Sequence, residues 1–172
     1  MLASGRDGLA SVVFYVLIYG LTTVGAFGVV SIVQDRAGGD ALSSFAGLSK
    51  RAPILSFCMM IFMLSLAGIP PLAGFFGKFY LFTAALKSTP ESLGYLWLVL
   101  AAIALSAVSL YYYLQVLKQI YVVAPADEAS AMQTPVLSQV ILALLALAVL
   151  VLGCAPNLLL GLLTSAIQVA GF

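Results

Sequence analysis

The stretch LSLAGIPPLAGFFGKFY, residues 64–80, decides how this chain is read. It sits inside an apolar block covering 52–86. A hydrocarbon core of ~30 Å needs about 20 residues at ~1.5 Å each, so the block is too long for one membrane helix. Gly68, Ile69, Pro70 and Pro71 interrupt it. Proline stops a helix arriving from its N-terminal side and is tolerated in the first turn of the next. The block is therefore read as two antiparallel spans, 52–68 and 69–86, joined by a tight turn, each ~26 Å long. Gly74 and Gly77 then bracket Phe75 and Phe76. Each glycine weakens a helix by ~1 kcal/mol relative to alanine, so Gly68, Pro70, Pro71, Gly74 and Gly77 together are expected to break the helical run at mid-membrane.

Lys78 follows at once. Of the thirteen formally charged residues, seven basic and six acidic, it alone lies well inside a span. Lys87 and Lys118 are near enough to helix ends for their stems to reach water. Lys78 lies midway between Pro70 and Lys87, where an insertion cost of roughly 2.5–3.5 kcal/mol applies. A charge kept at that depth marks an ion or proton pathway by default. Taking an amine out of water favours its neutral form, which lets it take up and release protons. The bland alternative is a structural lysine paired with a carboxylate, and no span of this chain carries one.

Composition carries the membrane reading outward from this stretch. Apolar residues make up 63% of the chain and charged residues 8%. Soluble domains run at roughly 45–50% and about 25%. With a net charge of +1 there is no field to attract nucleic acid. Histidine is absent, which removes imidazole metal ligands and histidine-based catalysis. Cys58 and Cys154 lie in apolar runs and read as small buried hydrophobes, with no metal site and no disulfide. The residues ahead of the first span do not read as a secretory signal, and the close start of that span is read as a fragment or split gene.

Five spans are expected in one all-α transmembrane bundle: 8–33, 52–68, 69–86, 93–122 and 136–154, with a tail, 157–172, that either prolongs the last span with a kink or lies in the interface. The first is rich in small residues, and Thr22 and Thr23 read as helix–helix contacts. A polar loop, 34–51, separates the first two. Trp97 and the tyrosines 111–113 and 121 fit interfacial belts. A short polar loop carries Pro125, Asp127 and Glu128. Tyr112 and Lys118 are candidates for a polar path. The bias of Arg36, Lys50, Arg51 and Lys87 to one side places the 34–51 loop in the cytoplasm by the positive-inside rule.

The run from Leu64 to Tyr80 closely resembles the antiporter-like membrane subunits of NADH–quinone oxidoreductases (respiratory complex I), and among them bacterial subunit N over its C-terminal part. Residues 19–27, 47–53 and 111–114 support the match in the same order. The resemblance implies a subunit of fourteen spans built on two inverted five-helix repeats, of which this chain is half of the antiporter-like fold. It implies a discontinuous helix bearing a proton-path lysine, which maps onto Lys78. It places the 34–51 loop on the periplasmic side, against the charge count. It also implies other membrane-arm subunits and the missing N-terminal helices as partners, a bacterial inner membrane as the location, and flavin, iron–sulfur clusters and quinone on or between other subunits, with no cofactor or metal on this chain.

The leading expectation is a proton-translocating component that couples NADH–quinone electron transfer to pumping through Lys78. The runner-up is the equivalent subunit of a cation/proton antiporter or membrane-bound hydrogenase. A purely structural membrane subunit is the alternative of another class. A membrane hydrolase, a third class, needs a nucleophile–base pair or a metal triad inside the bilayer, and the sequence shows none.

Overall fold

The computed structural model describes residues 6–87, 96–124 and 132–169. All its described secondary structure is helical: α1 (Arg6–Ala37), a 3-10 turn (Leu42–Phe45), α2 (Leu48–Arg51), α3 (Pro53–Ala67), α4 (Ala73–Lys87), α5 (Leu96–Tyr121), α6 (Val136–Cys154) and α7 (Asn157–Val169). Three helices are long and apolar enough to cross a membrane, over Gly8–Ala37, Leu96–Tyr121 and Val136–Cys154. The loop residues Pro125, Asp127 and Glu128 lie outside the described residues.

The expected hairpin between 52–68 and 69–86 does not occur. Helices α3 and α4 have 15 residues each, ~22 Å, too short to cross the bilayer singly. Instead they lie end to end along α1, running against it. Gly25 of α1 meets Phe62; Thr22 shares a cleft with Ser65 and Gly74; Tyr15 meets Gly77; Phe14 meets Tyr80. The partners ascend steadily as α1 is followed backward, whereas a hairpin would make them turn round. The turn itself explains the difference. Residues 68–72 are spent on it, so the apolar block holds one interrupted crossing. Gly74 and Gly77 fall inside α4 and do not break it.

The described residues thus make four crossings where five spans were expected: α1, the pair α3–α4, α5, and α6 prolonged by α7. Helix α1 outruns its expected span by about a turn at its C-terminal end, stopping where Gly38 takes a positive φ of 75°. The 34–51 connection is ordered: it carries the 3-10 turn and α2, and buries Phe45 and Leu48 in the core. The backbone N–H of Met132 bonds to the Arg51 carbonyl, so the α5–α6 connection lies at the same end. After Ala155 and Pro156, α7 packs on α1 and does not fold back along α6. The tail is therefore the kinked continuation. Cys58 is buried, but Cys154 is exposed, because the preceding Gly153 takes the inward position against the backbone of residues 71–73.

The core joins Phe14, Ile18 and Val29 of α1 to Leu55 and Phe62 of α3 and to Leu142 and Val149 of α6. Of the three long apolar helices α5 is the least enclosed, with Trp97, Leu105 and Val108 exposed, as expected of a surface made for apolar surroundings. The closest approach is between α4 and α3: a Cβ on Gly74 would run into the Ser65 carbonyl. Gly74→Ala is expected to destabilise the fold by about 1–3 kcal/mol, through overpacking against backbone. Thermal unfolding of the membrane-extracted protein checks this, with Gly20→Ala, which meets nothing within 4 Å, as the neutral control.

Candidate functional site

A helix leaves its last four carbonyls without intrahelical partners, and inside a membrane there is no bulk water to bond them. Helix α3 ends at Gly68, whose φ of 83° is the left-handed conformation that favours glycine. The Gly68 N–H bonds to the Ser65 carbonyl at 3.0 Å and the Ile69 N–H to the Leu64 carbonyl at 3.0 Å. This is the Schellman pattern, and it accounts for the two earlier carbonyls. The Leu66 and Ala67 carbonyls remain.

Lys78 takes both. Its Nζ donates to the Leu66 carbonyl at 2.9 Å and to the Ala67 carbonyl at 3.4 Å. A third bond, 2.7 Å, runs to Ser106 Oγ on α5. The geometry follows from where Lys78 stands. Side chains on a helix lean toward its N-terminus, so from the second turn of α4 the stem runs back over the first turn to the interruption. Gly68 leaves room for it: a Cβ there would lie 3.3 Å from Nζ. The amine therefore sits at the midpoint of the interrupted crossing, at the partly negative end of the α3 dipole. Its three protons meet three neutral acceptors. No carboxylate is among the described residues lining the clefts around it.

Ser65 ties the two half-helices together from the other direction, its Oγ accepting the Gly74 N–H at 3.1 Å. A cleft of about 400 Å³ opens beside this junction between α1, α4 and α5. At ~30 Å³ per water that is room for about a dozen molecules. Its polar wall consists of Lys78, Ser65, Thr22, Ser106, Ser109 and the tyrosines 15, 19 and 113. Thr22 is buried and donates to the Ile18 carbonyl at 2.6 Å. Tyr15 and Tyr19 stack with ring centroids 5.9 Å apart.

Of the expected site residues, Lys78, Gly68 and Gly74 meet at one point, with Pro70 and Pro71 in the turn beside it. Gly77 packs instead against Tyr15 of α1, with its Cβ position 3.2 Å from that ring. Tyr112 and Lys118 are exposed and line neither cleft around Lys78. Tyr112 points away because the cleft-facing positions of α5 are Ser106, Ser109 and Tyr113, spaced at helical intervals. Lys118 lies ~18 Å farther along the axis than Ser106. Part of the polar wall comes from residues whose role is not evident in the sequence: Ser65, Ser106 and Ser109, together with Tyr113, which reads there as an interfacial residue. The last three recur at i, i+3 and i+7 along an apolar span, and that spacing was the available signal.

An interrupted membrane helix with an amine at the interruption and a polar cleft beside it is an arrangement found in membrane transport proteins. Residues 1–109 match the family described as NADH:quinone oxidoreductase/Mrp antiporter, TM, and the chain belongs to that family. It is 52% identical over 159 residues to NADH-quinone oxidoreductase subunit N 2 of Acidobacterium capsulatum, covering 92% of this chain and 32% of that relative. It is 40% identical over 168 residues to subunit N of Nitrosomonas europaea, covering 97% and 34%. A chain in the solved structure of respiratory complex I from Thermus thermophilus with bound aureothin superposes with a TM-score of 0.70 at 31% identity, over 86% of this chain and 34% of that one. The chain spans about a third of the length of the relatives it matches.

Lys78→Met would strand the Leu66 and Ala67 carbonyls at a cost of about 1–3 kcal/mol for each one left unpaired. The expected result is faster amide hydrogen exchange at Gly68 and Ile69, with exchange in the middle of α5 unchanged. Lys78→Arg, which keeps donors at the same place, is expected to restore most of the protection.

Proposed function

We propose that this chain is part of the membrane arm of an NADH:quinone oxidoreductase and that it moves protons through Lys78. The observation that carries the reading is the amine itself: mid-crossing, bonded to three neutral acceptors, with a cleft of about 400 Å³ alongside. A carboxylate at ~3 Å would pin the charge. Carbonyls and a hydroxyl stabilise the ammonium without fixing it, so a proton can leave into the cleft and return. Redox chemistry falls to other subunits, and the energy it releases reaches this chain as changes in packing and hydration around the amine. The names of the relatives, NADH-quinone oxidoreductase subunit N from several bacteria, favour this assembly over an antiporter or hydrogenase. The same kinship supports a bacterial cytoplasmic membrane, with other membrane-arm subunits and the further helices of the relatives' length as partners.

The test is NADH-driven proton uptake into membrane vesicles carrying the assembled complex. In the complex that assembles, Lys78→Ala is expected to lower translocation roughly 100-fold or more, as for the loss of a positioned proton-transfer group. Lys78→Arg should recover part of it. Translocation at the wild-type rate in Lys78→Ala would mean that the lysine serves packing alone.

A further inference from the structure

Lys78 borders a second cleft. On the face away from α1, a space of about 300 Å³ is lined by Phe75 and Phe79 of α4 and by Ile103, Ala107 and Leu110 of α5. Three residues line both clefts: Lys78, Phe82 and Ser106. They form the partition between a polar space facing α1 and an apolar one facing outward. Within the partition, Ser106 is the only hydrogen-bond partner given to Lys78 by α5; the two carbonyls belong to the interrupted crossing itself.

The orientation of the Ser106 hydroxyl separates it from its neighbours. Thr83 on α4 and Ser109 on α5 each donate to the carbonyl four residues back in their own helix, at 2.8 and 3.1 Å. Ser106 Oγ instead meets an amine on another helix. The chemistry of the partners differs too. A carbonyl only accepts, so it can bond an N–H of either form but offers no proton to the lone pair of the neutral amine. A hydroxyl accepts and donates, so it can bond an N–H of the charged form or the lone pair of the neutral one.

We propose that Ser106 is the positioning residue of the proton relay, the group that keeps the Lys78 amine in the partition in both of its protonation states. This rests on the reading of Lys78 as a relay. In the charged state an N–H of Lys78 donates to Ser106 Oγ. When one proton leaves to a water in the polar cleft, the nitrogen keeps the electron pair, and the Ser106 O–H turns to donate to it. The amine then waits in place for the next proton and does not drift into the apolar cleft. Because the hydroxyl stands on α5, any shift of α5 against the α3–α4 junction makes or breaks this bond, giving the rest of an assembly a mechanical handle on the amine.

The experiment compares Lys78→Ala, Ser106→Ala, Ser106→Thr and Thr83→Ala in the assembled complex, reading protons moved per electron together with the amount of complex in the membrane. Loss of one hydrogen bond to a charged group corresponds to about a tenfold effect. Ser106→Ala is therefore expected to lower proton translocation ~10-fold at unchanged assembly. Ser106→Thr, which keeps the hydroxyl, should stay near wild type, as should Thr83→Ala. Should Ser106→Ala not assemble, Ser106→Cys carries the test: a thiol is a weaker partner in the same place, so an intermediate rate supports the proposal and a wild-type rate overturns it. Equal loss in Ser106→Ala and Ser106→Thr also overturns it, since packing would then be what matters. If Lys78→Ala is impaired while Ser106→Ala is not, the relay stands and the positioning role falls. If Lys78→Ala is unimpaired, the relay itself falls.

Discussion

The bond from the Lys78 amine to the last carbonyls of α3 is the interaction on which the rest of this structure depends. An interrupted helix in a membrane exposes backbone groups that lipid cannot satisfy. At the α3 terminus the left-handed Gly68 turns two N–H groups back onto Leu64 and Ser65. Lys78 then takes the two carbonyls that this turn cannot reach. The amine and the interruption answer each other's cost: the carbonyls hold a charge that hydrocarbon would reject, and the charge holds carbonyls that hydrocarbon would leave bare.

That exchange organises the packing around it. The first turn of α4 must overlap the last turn of α3 for the lysine stem to reach back, and the overlap is tight enough to require glycine at 74. The Ser65 hydroxyl fixes the overlap through the Gly74 N–H. Helix α6 closes in at the same level, with Gly153 against the backbone of residues 71–73, and is itself interrupted just beyond, at Ala155 and Pro156. Two of the four crossings are therefore interrupted where they meet. The cleft beside Lys78 follows from this arrangement, since two short helix ends fill less space than one continuous helix.

The same geometry separates two kinds of polar residue that look alike in a list. Thr22 and Ser109 return their hydroxyls to their own helices and make the cleft wettable without addressing the amine. Ser106 addresses it directly. Tyr112 and Tyr113 are neighbours in sequence, yet one is exposed on the outer surface of α5 and the other lines the cleft. A rotation of about 100° per residue is enough to part them.

Much of this was legible in the residues themselves. The excess of apolar side chains could only mean a bilayer. The run from Gly68 to Pro71 could only interrupt a helix, because glycine and proline act through local backbone geometry that needs no neighbours. Lys78 was conspicuous because charge is costly at that depth whatever surrounds it. The number of crossings was not legible, since two short helices can fold back or stack end to end with the same residues between them. Contact with α1 chose between these, and that is a property of helices far apart in sequence. Nor could sequence name the acceptors of Lys78. Two of them are backbone carbonyls, which every residue has, and the third is a serine 28 positions away. Only packing α5 against the interruption turns that serine from an ordinary helix residue into part of the site.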